Sequence, residues 1–223
     1  MKKISEEELK NILKDHQVWL RTNKKDGKRA DLNHTDLSGA NLRRADLIGS
    51  NLSHADLTRA DLTKANLACA DLNHANLSKA NLFYVNLQYA DLSGADLSRV
   101  NLGSSNLYRA NLHKANLTNT YLINTDLSEA NLTDANLRCT KLCNTKLPKH
   151  IIQIGPIKSR NNYIIINLDD DIIYYRSWKG NTEEFKNRIY KVYSNDNIYR
   201  KQYLAALQTI ESLKMQNKNQ YKN

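Results

Sequence analysis

The chain has 223 residues, 40% hydrophobic and 25% charged, with a formal net charge of +10. That length holds one long domain with appendages, or two domains, and the balance is that of a soluble globular protein. Seven glycines and two prolines exclude a collagen-like chain, no apolar run is long enough to span a membrane, and three cysteines without a CxxC spacing fit reduced thiols in the cytosol.

The N-terminal stretch Met1-Lys2-Lys3-Ile4-Ser5-Glu6-Glu7-Glu8 is charged and lacks the apolar core of a secretory signal. Residues 5–21 are predicted to form a helix. Ser5 and Glu8 match a capping box, and Leu9, Ile12, Leu13, His16 and Leu20 follow helical spacing, with Trp19 beside them. Lys24-Lys25-Asp26-Gly27-Lys28 reads as a turn. Residues 1–29 are therefore expected to be a helix and turn that cap the segment beginning at Ala30.

From Ala30 the sequence becomes periodic: Ala-Asp-Leu-Asn-His, Thr-Asp-Leu-Ser-Gly, Ala-Asn-Leu-Arg-Arg. Leu occupies every fifth position from Leu32 to Leu147, in 24 of 24 repeats. Two residues before it stands Ala in fifteen repeats and Thr, Ser or Val in the rest. One residue before it stands Asn in twelve and Asp in nine; the exceptions are Tyr121, Lys141 and Lys146. A period of five suits neither ordinary element. On an α-helix successive Leu would scatter round the axis, and on a straight strand they would alternate between faces. A short extended segment followed by a bend solves the problem. The Ala-type residue and Leu point inward, and the other three point outward. A chain that keeps bending the same way winds into a coil whose turns pair as parallel strands about 4.8 Å apart.

Tandem A(D/N)LXX over residues 30–147 resembles the pentapeptide repeat family. The resemblance implies a right-handed quadrilateral β-helix with four repeats per coil. The 24 repeats would then make six coils, with residues 20 apart in one column. His34, His54 and His74 share a column, continued by Gly94, Lys114 and Asp134. Arg59, Lys79 and Arg99 share another, Arg44, Lys64 and Tyr84 a third, and Cys69, Tyr89, Arg109 and Glu129 a fourth. Histidines stacked along a convex face do not converge on one ion, so the first column is read as a solvated stack and no metal site is assigned. The basic columns are offset by Asp36, Asp46, Asp56 and Asp61, and residues 30–147 carry eleven basic and eleven acidic side chains. Phe83, Tyr84, Tyr89 and Tyr108 stand at outward positions beside Arg109. They are read either as a protein-binding patch or as a surface covered by the chain's own ends.

After Leu147 the repeat stops. Residues 148–223 are predicted to be a βββαα module with a frayed tail from Gln216. The strands are expected at Ile151–Ile154, Tyr163–Leu168 and Ile172–Tyr175, with turns from Gly155-Pro156 to Asn162 and at Asp169–Asp171. Asn181-Thr182-Glu183-Glu184 starts one helix, and a second spans Ile198 to Met215. Its Gly-Pro-Ile-x-Ser-Arg and Lys-Gly-x-x-Glu-Glu-Phe segments look similar to tails of some bacterial pentapeptide repeat proteins. The fold class is thus mainly β: a β-helix with an N-terminal capping helix and a small α+β module.

No GxSxG, HExxH, GxGxxG or phosphate-cradling loop is present. The reading is a non-catalytic, cytoplasmic scaffold or interaction protein. No cofactor is expected, its protein partner is unidentified, and it is a monomer or a homodimer through its C-terminal module. Some members of the family protect DNA gyrase from quinolones by resembling DNA in shape and negative charge. A neutral repeat segment between basic ends argues against that role. Direct binding of nucleic acid through the basic ends is a third, weaker reading.

Overall fold

A computed structural model of the chain describes residues 1–157, 162–193 and 198–220. It divides into two compact units, Met1–Pro148 and Lys149–Asn223.

The first unit is a repeat β-helix. Parallel bridges join residues 20 apart without interruption, from Asp31↔Asn51 to Asp126↔Lys146. Each turn of coil therefore takes four repeats. The Leu32 amide donates to the Asn51 carbonyl (2.7 Å), and the Asn51 amide donates to the Ala30 carbonyl (3.0 Å). The same pair of bonds recurs coil after coil. At each corner the chain closes a four-residue turn, as where the Ala40 amide donates to the Leu37 carbonyl at 3.0 Å. The last residue of each repeat then needs a positive φ. Gly39 supplies it without strain, but His54, Arg59, Tyr84 and Tyr89 adopt it too (φ 57, 59, 60 and 57).

The Asp/Asn position explains why the corners hold. Its side-chain oxygen accepts the backbone amide two residues on, as from Ser38 to Asp36 (3.0 Å) and from Ser93 to Asp91 (2.9 Å). Its amide group links coils, as from Asn116 to Asp96 at 3.0 Å. Inside, the leucines from Leu32 to Leu142 are buried. Each contributes roughly 1.5–3 kcal/mol. Hydroxyls that replace the inward Ala satisfy themselves locally. Ser105, Thr120 and Thr125 donate to the carbonyls of Leu82, Leu97 and Leu102, one coil away, at 2.7, 2.7 and 2.8 Å.

The N-terminal edge of this coil is covered. Strand β1 (Lys2–Lys3) pairs in parallel with β2 (Thr35–Asp36) in the first coil. Helix α1 (Glu6–Arg21) comes next, its N-terminus capped by the Ser5 hydroxyl, which accepts the Glu8 amide at 3.1 Å. The Glu8 carboxylate takes the Lys2 ammonium instead of completing a capping box (2.5 Å). His16 is fully buried and accepts the Ala30 amide through Nδ1 at 3.0 Å, which ties the helix to the first repeat.

The second unit is a four-stranded antiparallel sheet in the order β3-β4-β5-β6 with two helices. Its strands are β3 (Ile151–Ile157), β4 (Asn162–Asn167), β5 (Ile172–Tyr175) and β6 (Trp178–Gly180). Three strands were expected from the sequence. The fourth, β6, pairs back on β5 across the two-residue loop Arg176-Ser177. Gly155-Pro156 is not a turn either. The strand runs through it with a register shift between Ile154 and Ile157, at a glycine with φ 135. The rest of that expected turn, residues 158–161, lies outside the described residues. Helix α2 (Thr182–Val192) starts on a complete capping box between Asn181 and Glu184. Helix α3 (Ile198–Gln220) runs past Met215, so Gln216 begins no tail within the described backbone; residues 221–223 of the expected tail lie outside it. Ile164, Ile166 and Ile173 of the sheet close a core with Phe185, Ile189, Tyr203 and Ile210 of the helices.

Candidate functional site

The coil register sorts every outward side chain into a face. Phe83 and Tyr84 fall on one face; Tyr89, Tyr108 and Arg109 fall on the next. The structure thus splits the aromatic cluster read from the sequence into two groups. The Phe83 and Tyr84 rings meet edge to face at 4.5 Å, and those of Tyr89 and Tyr108 at 5.8 Å.

The second group is largely satisfied within itself. Arg109 donates from Nε to the Glu129 carboxylate at 2.5 Å and lies 5.3 Å over the Tyr108 ring. Desolvation raises the Tyr108 hydroxyl above its ordinary value; Arg109 pulls against it and Glu129 adds to it. The phenol stays neutral and the guanidinium already has its counter-charge.

The first group opens onto something the sequence reading did not assemble. Two coils further along the same face stand Tyr121 and Ile123, both exposed. Between the two apolar pairs lie Gly103 and Ser104. The result is a notch of about 500 Å³ lined by Phe83, Tyr84, Gly103, Ser104, Tyr121 and Ile123, among others. Gly103 is what makes room. A Cβ there would sit 3.1 Å from the Phe83 ring, which therefore lies against bare backbone. At Tyr121 the polar ladder of Asn41, Asp61, Asn81 and Asn101 stops, and Lys141 continues the column.

Cations border the notch at both ends. Lys64 Nζ lies 5.9 Å over the Tyr84 ring and Lys141 Nζ 4.4 Å over the Tyr121 ring. Arg43 and Arg44 occupy the first coil of this face. Its outward positions carry four cations against the Asp61 carboxylate, which Arg43 engages at 2.9 Å. Arg59, Lys79 and Arg99 turn the corner just before the face begins. A neutral coil overall thus presents one strip that is apolar at its centre and basic around it. The signal was available in the sequence: a column drawn through Phe83, Gly103 and Ile123, beside one through Asn81, Asn101 and Tyr121, reveals it.

The other columns carry less chemistry. The rings of His34, His54 and His74 stack at 4.6 and 5.1 Å, and His74 lies over Gly94, where a Cβ would approach to 2.6 Å. Among the described residues, no group of three or more His, Cys, Asp or Glu side chains could hold a metal ion, and no helix is long and apolar enough to cross a membrane. Asp169–Asp171 forms a turn before β5. There Asp171 meets the Thr182 hydroxyl and the Lys214 ammonium, the latter at 2.8 Å.

A profile for pentapeptide repeats matches the chain in eight copies, over residues 28–63, 60–99 and 110–147. The chain is similar to the solved structure of HetL, a pentapeptide repeat protein involved in heterocyst differentiation regulation from the cyanobacterium Nostoc sp. strain PCC 7120. The identity is 30% over 55% of this chain and 70% of that one, with a TM-score of 0.22. It is also similar to the pentapeptide repeat protein Rfr23 from the cyanobacterium Cyanothece 51142, at 27% identity over 60% and 99% of the two chains and a TM-score of 0.26. Full-length QnrB1, a plasmid-mediated fluoroquinolone resistance protein, matches at 19% identity over 52% and 74%, with a TM-score of 0.30. No curated protein sequence matches the chain.

Proposed function

The chain belongs to the pentapeptide repeat family, and from that premise we propose that it is a non-catalytic docking scaffold of the bacterial cytosol. The coil is read as right-handed and four-sided, with six turns; the 20-residue pairing from Asp31 to Lys146 supports that reading. The partner is a protein segment that places one or two apolar side chains in the notch between Phe83 and Ile123 and acidic side chains over the surrounding cations. One observation carries this: an apolar notch bordered by Lys64 and Lys141 on a coil whose other outward positions are mostly polar. Large aromatics in such a setting are the residue types of interface hot spots. The exposed thiols Cys69, Cys139 and Cys143 fit a reducing compartment. The second unit serves as a further partner-binding or self-association module.

The test is an array of synthetic acidic peptides with Leu, Phe or Trp anchors, probed with full-length protein beside charge-reversed copies. Binding confined to the acidic, anchored set supports the docking face. Equal binding to both sets, or to neither, removes it. Gyrase mimicry is the competing reading, and the eleven-to-eleven charge balance of residues 30–147 counts against it. Inhibition of gyrase supercoiling, or its protection from quinolone, would put that reading in place of ours. A salt-dependent shift of duplex DNA by the protein would do the same for nucleic-acid binding.

A further inference from the structure

The second unit contains a cavity of about 430 Å³ between the β5–β6 hairpin and the two helices. That volume lies within the range of small-molecule sites. Its apolar wall is aromatic. Trp178 and Phe185 face each other at 5.5 Å, inclined by 35°, and Tyr203 stands edge-on to Phe185 at 6.2 Å. The Tyr175 and Tyr203 hydroxyls are hydrogen-bonded to each other, and the Tyr193 hydroxyl bears on Tyr203 as well. Burial, first, then these neighbours push the Tyr203 phenol far up, so it stays neutral and able to donate.

The polar side of the cavity is cationic. Arg188, on α2, holds its guanidinium 5.8 Å over the Trp178 ring and forms no ion pair among the described residues. Arg176 and Ser177 form the hairpin loop at the rim. Arg176 has φ 55 in a two-residue loop, a place where Gly, Asn or Asp sits with less strain. Among the described residues, no carboxylate lines the cavity.

We propose that this cavity binds a small planar aromatic anion, with the ring against Trp178 and its carboxylate or phosphate on Arg188 and Arg176. The aromatic wall supplies apolar contact and an edge for ring packing. A guanidinium supplies the planar, two-pronged donor that carboxylate and phosphate share. This site lies wholly within the second unit and does not depend on the docking face of the coil, so the two proposals fail separately.

The chain has two tryptophans, Trp19 and Trp178. In full-length protein carrying Trp19→Phe, Trp178 is the sole indole reporter. Phenyl phosphate is titrated, with inorganic phosphate and phenol as separate probes. The expected result is a saturable change in Trp178 emission with phenyl phosphate alone. It should weaken about tenfold or more in Arg188→Ala and recover in part in Arg188→Lys. Arg176→Glu provides a second variant should Arg188→Ala alter the far-ultraviolet dichroism. The inference is overturned by any of three results: no saturable change; equal binding of inorganic phosphate or phenol; or an affinity unchanged in both arginine variants.

Discussion

The two units bury their apolar residues in opposite ways. In the coil the leucines recur one turn above and below, and the Asn/Asp side chains, Asp46 excepted, repeat one bond pattern from Asp31 to Asn136. In the second unit every core residue has a different set of neighbours. Tyr175 alone meets Phe185 at 6.1 Å and Tyr203 at 5.3 Å, from two separate helices. The coil is a sum of near-identical local contacts, so damage stays local and outward positions are open to change. The second unit is one cooperative core, in which a single deletion is felt throughout.

Phe185→Ala tests that contrast hardest. It should cost about 3–5 kcal/mol and melt the second unit early, while the β signal of the coil persists in a two-step thermal dichroism curve. A single merged transition would break the distinction. His16→Ala comes next, because it leaves the buried Ala30 amide without its acceptor. Roughly 1–3 kcal/mol should be lost, and hydrogen exchange should quicken in α1 and the first coil while the later coils stay protected. Asn181→Ala removes the α2 cap and should cost about 1 kcal/mol, read as a lowered urea midpoint for the second unit only.

Acid gives the smallest effect, and it acts on both units. Burial lowers the His16 imidazole below the ordinary histidine value of 6.5, against a weaker upward pull from Asp46. The unfolded chain therefore takes up a proton that the folded one refuses. The contribution of neutral His16 is complete above about pH 6.5 and falls as pH drops below it. In the second unit burial opposes ionisation of Asp171, but Lys214 and Thr182 outweigh it and hold the carboxyl below its usual value. That contribution is present above the ordinary carboxylate range and fades as pH falls through the depressed value. Exchange in α1 should therefore rise at a higher pH than exchange around Asp171. The reverse order would contradict both assignments.

Sequence was a better guide to the coil than to the second unit, for the same physical reason. Leu32 to Leu147 specify one local geometry many times over, so the period alone yields the inward and outward positions. β6 has only Trp178, Lys179 and Gly180, too few residues to show an alternation, and its place depends on pairing with β5. Gly155-Pro156 has the composition of a turn, yet pairing of β3 with β4 resumes beyond it at Ile157. The notch was half legible. Phe83 and Tyr84 stood out by composition, whereas Tyr121 read as an exception to the repeat and Ile123 as a variable position. Only the 20-residue register brings them to one notch.

The central claim is that this notch serves binding and not the coil. Tyr84 occupies a corner with φ 60, where Asn is more comfortable. Tyr121 stands where most repeats place an Asn or Asp whose oxygen accepts the next corner amide. The double variant Tyr84→Asn, Tyr121→Asn restores repeat-like residues at both positions. Its thermal midpoint and its affinity for the best acidic, anchored peptide should be measured on one preparation. The expected result is a coil at least as stable as the original and a peptide affinity reduced about tenfold or more. A destabilised coil, or a stable coil that binds the peptide as before, would contradict the claim.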